Sequence, residues 1–114
     1  MAAVYDVVLT ADAERDLQEL YDDIAENDAP AKADHVLAQI EQLLSGLTTM
    51  PERGAWTKEL LALGIREYRE TYFKPYRVIY RVGQSDKRPM VYVYLIVDGR
   101  RDMQALLQRR ILRA

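Results

Sequence analysis

The chain has 114 residues, a formal net charge of −2, no cysteine and a single histidine. That length supports one hydrophobic core with little left over for another, so one domain spanning residues 1–114 is expected. Missing cysteines exclude disulfide frameworks and thiolate metal sites, and a lone histidine excludes a histidine metal cluster.

No run approaches the roughly 18 apolar residues of a membrane span, and no apolar segment follows basic residues at the N-terminus. A soluble cytoplasmic protein, with no membrane contact, is expected. The small net charge hides a strong segregation. Residues 1–64 hold four Lys/Arg against thirteen Asp/Glu, whereas residues 65–114 hold twelve against five. The second half is therefore basic enough to predict an acidic macromolecular partner.

Residues 4–10 open the chain as a β-rich run, with Val7 and Leu9 on one side and Val8 on the other. Thr10 is placed to cap a helix running to about Asn27: Asp12 and Glu14 fall in its first turn, and Leu17, Leu20, Tyr21 and Ile24 recur at helical spacing. Pro30 starts a second helix, since proline is tolerated where no N–H donor is needed. Its stripe of Ala33, Val36, Leu37, Ile40, Leu43, Leu44 and Leu47 closes near residues 46–49. These two helices are predicted to form an antiparallel hairpin over a sheet.

Residues 50–64 break the pattern with Pro51, Gly54 and Gly64, predicting a packed loop anchored by Trp56, Leu60, Leu61 and Leu63, with room for a helical turn. Residues 65–72, 75–82 and 90–97 are rich in β-branched and aromatic side chains and predict a three-strand meander. Residues 83–89, polar and charged, are expected to be a mobile hairpin loop. Residues 103–112 put Met103, Leu106, Leu107 and Ile111 on one side of a short C-terminal helix, with Arg109, Arg110 and Arg113 near its end. The fold expected is α+β and two-layered: a strand and a helical hairpin packed on an antiparallel meander, order β-α-α-β-β-β, then a short helix.

Six of the eight tyrosines (Tyr68, Tyr72, Tyr76, Tyr80, Tyr92, Tyr94) lie in the predicted meander, interleaved with Arg66, Arg69, Arg77 and Arg81. Alternation places Tyr68 and Tyr72 on one face of the first meander strand, and Arg77, Ile79 and Arg81 on one face of the second. One sheet face is then expected to present guanidinium groups, whose planar forks suit carboxylate or phosphate. After the last strand, Asp98-Gly99-Arg100-Arg101-Asp102 sets two adjacent arginines in different directions. One is free to reach a partner while Asp98 or Asp102 holds the other, and Asp102 is also placed to cap the last helix. His35 is expected on a helix surface. The acidic residues of the first helix, from Asp12 and Asp16 to Glu26, form a mostly solvated face. No nucleophile motif, phosphate loop or metal-ligand set is present, so neither cofactor nor metal is expected.

The run Tyr72-Phe73-Lys74-Pro75-Tyr76-Arg77-Val78-Ile79-Tyr80-Arg81-Val82, the strand ending Asp98-Gly99-Arg100-Arg101-Asp102, and Ala13, Asp16 and Leu17 after an opening strand resemble the ParE/RelE toxins of bacterial type II toxin–antitoxin systems. The resemblance covers essentially the full chain and is nearer ParE. It implies a toxin that causes growth arrest, serves plasmid stabilisation and is neutralised by a cognate antitoxin whose extended C-terminal segment wraps it. RelE-like members cut mRNA on the ribosome; ParE-like members inhibit DNA gyrase. In the first case Arg77, Arg81 and Arg100 would supply cations around the scissile phosphate. No Tyr or His follows Tyr94, however, and Asp98 stands where the family often has His. The acid–base partner is thus missing, which favours gyrase inhibition with no catalytic residue over mRNA cleavage; a non-toxic partner-binding module is the third reading. Residues expected at the target or antitoxin interface are Arg69, Lys74, Tyr76, Arg77, Tyr80, Arg81, Tyr94, Asp98, Arg100 and Arg101.

Overall fold

Strand β1 (Asp6–Leu9) alternates as its sequence predicts, with Val7 and Leu9 packed inward and Asp6 and Val8 exposed. A computed structural model describes residues 3–112. Thr10 caps α1 (Ala11–Asn27) by accepting the Ala13 N–H at 3.1 Å, and Pro30 occupies the first turn of α2 (Pro30–Gly46). Their apolar stripes meet the sheet through Ala13, Ile24, Ala33, Val36, Ile40 and Leu47, against Tyr76, Val78, Tyr80, Val91, Val93 and Ile96. The class is α+β.

Residues 50–64 hold the expected helical turn and one element more. They contain a two-residue strand, β2 (Ala55–Trp56), and one helical turn, α3 (Lys58–Leu61). Gly64, at φ +81°, ends that turn, and Ile65 N–H donates back to Leu60 O. The next strand therefore starts late: β3 is Arg69–Phe73, not residues 65–72, and Tyr68 lies ahead of it.

The five strands form one sheet in the order β1-β5-β4-β3-β2, antiparallel except for β1 beside β5. The expected hairpin loop at residues 83–89 is instead strand. The strands β4 (Tyr76–Ser85) and β5 (Arg88–Asp98) pair all the way to Ser85 and Arg88. Asp86 and Lys87 make the turn with φ of 50° and 68°, the two positive values that a type I′ turn demands. Their polar composition reads as loop, but it sits on an exposed ribbon.

Tyr94 is an extra residue in β5. Register passes from Tyr80↔Val93 to Ile79↔Leu95, which is a β-bulge. Leu95 and Val97 are thereby turned to the second face of the sheet, where they join Ile79, Leu60 of α3, and Met103, Leu106 and Leu107 of the C-terminal helix α4 (Met103–Leu107). This second core covers the face expected to be open and cationic. Asp102 caps α4 by accepting from Ala105 N–H, and the helix continues as a π-helical turn, Gln108–Leu112. Arg113 lies outside the described residues.

One corner is finished by side chains. Strand β1 stops opposite Val93, and beyond it Asp16 of α1 accepts the Ile96 N–H at 3.1 Å while Arg110 donates to Tyr94 O at 3.1 Å. Arg110 and Asp16 bond each other at 3.0 and 2.8 Å. Asp16 is thus an anchor rather than part of a solvated face. Contacts with the Asp16 carboxylate hold the Arg110 guanidinium more firmly protonated than usual.

Candidate functional site

Arg77 stands opposite Tyr72 on β3 and Val97 on β5, with Glu70 two residues back along β3 on the same face. Its guanidinium meets both oxygens of Glu59, from α3, at 2.9 and 2.8 Å, and also bonds Glu70. The three side chains are only 11%, 14% and 16% exposed, so this is a nearly internal ion triad. The Arg77 hydrogen bonds hold Glu59 below its ordinary pKa, and Glu59 in turn raises that of Arg77. Gly99 closes the arrangement: a Cβ there would lie 2.6 Å from Arg77 Cδ and 3.0 Å from Pro75 O. The glycine lets the last strand exit over the arginine stem.

The mouth of this site is a cleft of about 330 Å³ lined by Lys58, Tyr72, Lys74, Arg77 and Arg100 together with Glu70, Pro75 and Gly99. Tyr72 is 55% exposed at its rim. Arg100 is held by Asp98, with Nη2 to Oδ2 at 2.6 Å, and that contact lowers the Asp98 pKa. Its neighbour Arg101 points elsewhere, into a cleft with Asp16, Glu19, Asp23 and Asp98. The two arginines diverge as the motif implies.

The other expected contact residues are scattered. Tyr76 and Tyr80 face the helical layer and are buried in the first core, because alternation on β4 sends Tyr76, Val78 and Tyr80 to that side. The Tyr80 hydroxyl donates to Pro51 O at 2.7 Å and accepts from Gly54 N–H at 3.2 Å, making a structural pin of a residue expected at the interface. Burial raises its pKa. Arg69 lies 4.0 Å over the Trp56 ring and donates to Glu52 O and Gly54 O. Arg81 shares the second face with Arg77 but lies four residues further along β4, in a cleft apart from that of Arg100, and its Nε donates to the Tyr94 hydroxyl at 3.3 Å. The expected cations Arg77, Arg81 and Arg100 do not converge on one phosphate position: Arg77 is neutralised, and Arg81 is remote from the Arg100 cleft.

His35 is exposed on α2, edge-on to Phe73. Among the described residues no group of three or more His, Cys, Asp or Glu side chains is placed to hold a metal, and no helix is long and apolar enough to cross a membrane. The partners Glu59 and Glu70 escape sequence reasoning for different reasons. Glu70 becomes legible once the β3–β4 register is known, but Glu59 rides on a four-residue helix whose position only the tertiary fold determines.

The fold is similar to a solved structure described as the chromosomal ParDE TA system from P. aeruginosa. The TM-score is 0.66 at 18% identity, over 83% of this chain and 96% of that one. A search of curated proteins finds no match. Residues 7–103 match the family described as the ParE toxin of the type II toxin–antitoxin system, parDE. With the strand, helical hairpin and meander in the expected order and most of its length matched, the chain belongs to the ParE toxin family of type II toxin–antitoxin systems.

Proposed function

We propose that this toxin acts in the cytoplasm as a single module, residues 1–114, inhibiting DNA gyrase and so replication, and is neutralised by a cognate antitoxin. The observation that carries the choice of gyrase is the Arg77 triad. A nuclease needs a cation free to meet the charge developing on a scissile phosphate. Arg77 already faces two carboxylates in a nearly closed site, which would repel that phosphate. What remains at the mouth is a binding surface, in which Lys58 and Lys74 offer positive charge, Arg100 stands paired with Asp98, and Tyr72 offers exposed aromatic area.

The antitoxin is assigned to the other side. An apolar groove lined by Leu9, Leu17, Tyr21 and Leu37 runs between β1 and the helical hairpin and suits the apolar side chains of a wrapping segment. The test is a supercoiling assay with purified gyrase, run beside primer extension on translated mRNA. Loss of supercoiling without ribosome-dependent cuts is expected; cuts with gyrase unaffected would overturn the proposal. Expression without antitoxin should arrest growth, and unimpeded growth would leave a binding module without toxicity.

A further inference from the structure

Strand β4 continues through Arg81–Ser85 after its last β3 partner, Tyr80, so that stretch has β5 on one side and no strand on the other; of its carbonyls, Gln84 O accepts from the Tyr92 hydroxyl at 3.3 Å. At this step lies a cleft of about 300 Å³ lined by Arg66, Arg69 and Arg81, with Trp56, Glu52 and Glu67. The arginines differ in what they already hold. Arg69 is bonded to two backbone carbonyls and approaches Glu52. Arg66 is exposed with no hydrogen bond to a described residue. Arg81 has only its Nε engaged, by Tyr94, while its guanidinium carbon sits 5.1 Å from the Tyr92 ring centre. Gly83 leaves room for it, since a Cβ there would lie 3.0 Å from Arg81 Nη1. The Tyr92 ring and the Tyr94 hydrogen bond together orient a guanidinium that meets no carboxylate among the described residues.

We propose that this free edge of β4 binds an extended, acidic segment of a protein partner, whose carboxylates are received by Arg81 and Arg66. An extended chain beside an unpaired strand gains main-chain hydrogen bonds, and an oriented guanidinium fork suits a carboxylate. Nucleic acid fits less well. The Trp56 and Tyr92 rings that would stack a base are covered by Arg69 and Arg81. The inference stands apart from the choice of gyrase or ribosome as target.

The probe is capped hexaglutamate, titrated into the full-length isotope-labelled chain at low salt and followed by the amide signals of residues 81–85 and the Arg81 Nε–H. Shifts confined to these groups are expected, with affinity falling roughly tenfold in Arg81→Gln and less in Arg66→Gln, and weakening with added salt. Arg66 is exposed, so its variant reports on binding without threatening the fold; Arg81→Gln is read only after its melting curve matches the parent. Shifts that map elsewhere, or an affinity unchanged in both variants, would overturn the proposal. Tighter binding of an oligothymidylate at the same residues would overturn it in favour of nucleic acid.

Discussion

Replacing Arg77 with methionine keeps the stem that packs under Gly99 but removes the charge between Glu59 and Glu70. Two carboxylates would then face each other in a nearly closed site without a counter-charge. Breaking a buried pair by removing one member costs about 3–5 kcal/mol. Exposures of 11–16% in the triad let some water in and favour the lower end of that range. A chain of this size has a stability on the order of 10 kcal/mol, so a loss of about 3 kcal/mol is a large share of it. At roughly 2.1 cal/mol/K per residue for the entropy of unfolding, the midpoint should fall by about 12 °C. Urea and thermal melts followed by circular dichroism measure both quantities. The triple variant R77M/E59Q/E70Q removes the uncompensated charges as well and should recover at least half of the loss. A single variant within about 0.5 kcal/mol of the parent would refute the reasoning, as would a triple variant no more stable than R77M.

The same triad predicts acid sensitivity. Glu59 is held below its ordinary value by Arg77, so its contribution is complete above that value, 4.5, and is lost as pH falls through the lower folded-state pKa. Melts from pH 7 downward should show this loss in the parent and not in E59Q. Tyr80→Phe leaves Pro51 O without its donor and Gly54 N–H without its acceptor, at a cost of about 1–3 kcal/mol in urea melts. Asp16→Asn keeps an oxygen for Ile96 N–H but removes the charge facing Arg110; about 2 kcal/mol should be lost, with faster amide exchange in residues 103–112 than at Ile96.

The helical hairpin is legible because its signals are local. Thr10, Pro30 and the stripe from Ala33 to Leu47 act within a few residues of their own positions. The meander is legible as strands but not as faces. Whether Arg77 looks out or in depends on α3 and α4 covering the sheet, and no spacing around Arg77 records that. The Tyr94 bulge is equally silent, because an alternating apolar strand looks the same with or without one residue inserted. Ala55–Trp56 is too short to register as a strand at all, and the polar tip of the β4–β5 ribbon imitates a loop. The divergent arginines of the Asp98–Asp102 motif were readable because the glycine signals a turn, closed here by Arg101 N–H donating to Asp98 O at 3.2 Å, that sends adjacent side chains apart.

The Asp16–Arg110 pair has a consequence for self-association. Past Val93, the outer side of β5 would offer a bare backbone donor and acceptor to any strand drifting alongside, including one from a second copy. Here Asp16 takes the donor and Arg110 the acceptor, and each holds the other in place. An intruding strand could not lengthen the sheet at that corner without first breaking a bidentate ion pair and detaching the π-helical turn Gln108–Leu112 from α1. A carboxylate and a guanidinium far apart in sequence thus guard the edge against unwanted pairing more compactly than a longer β1 would.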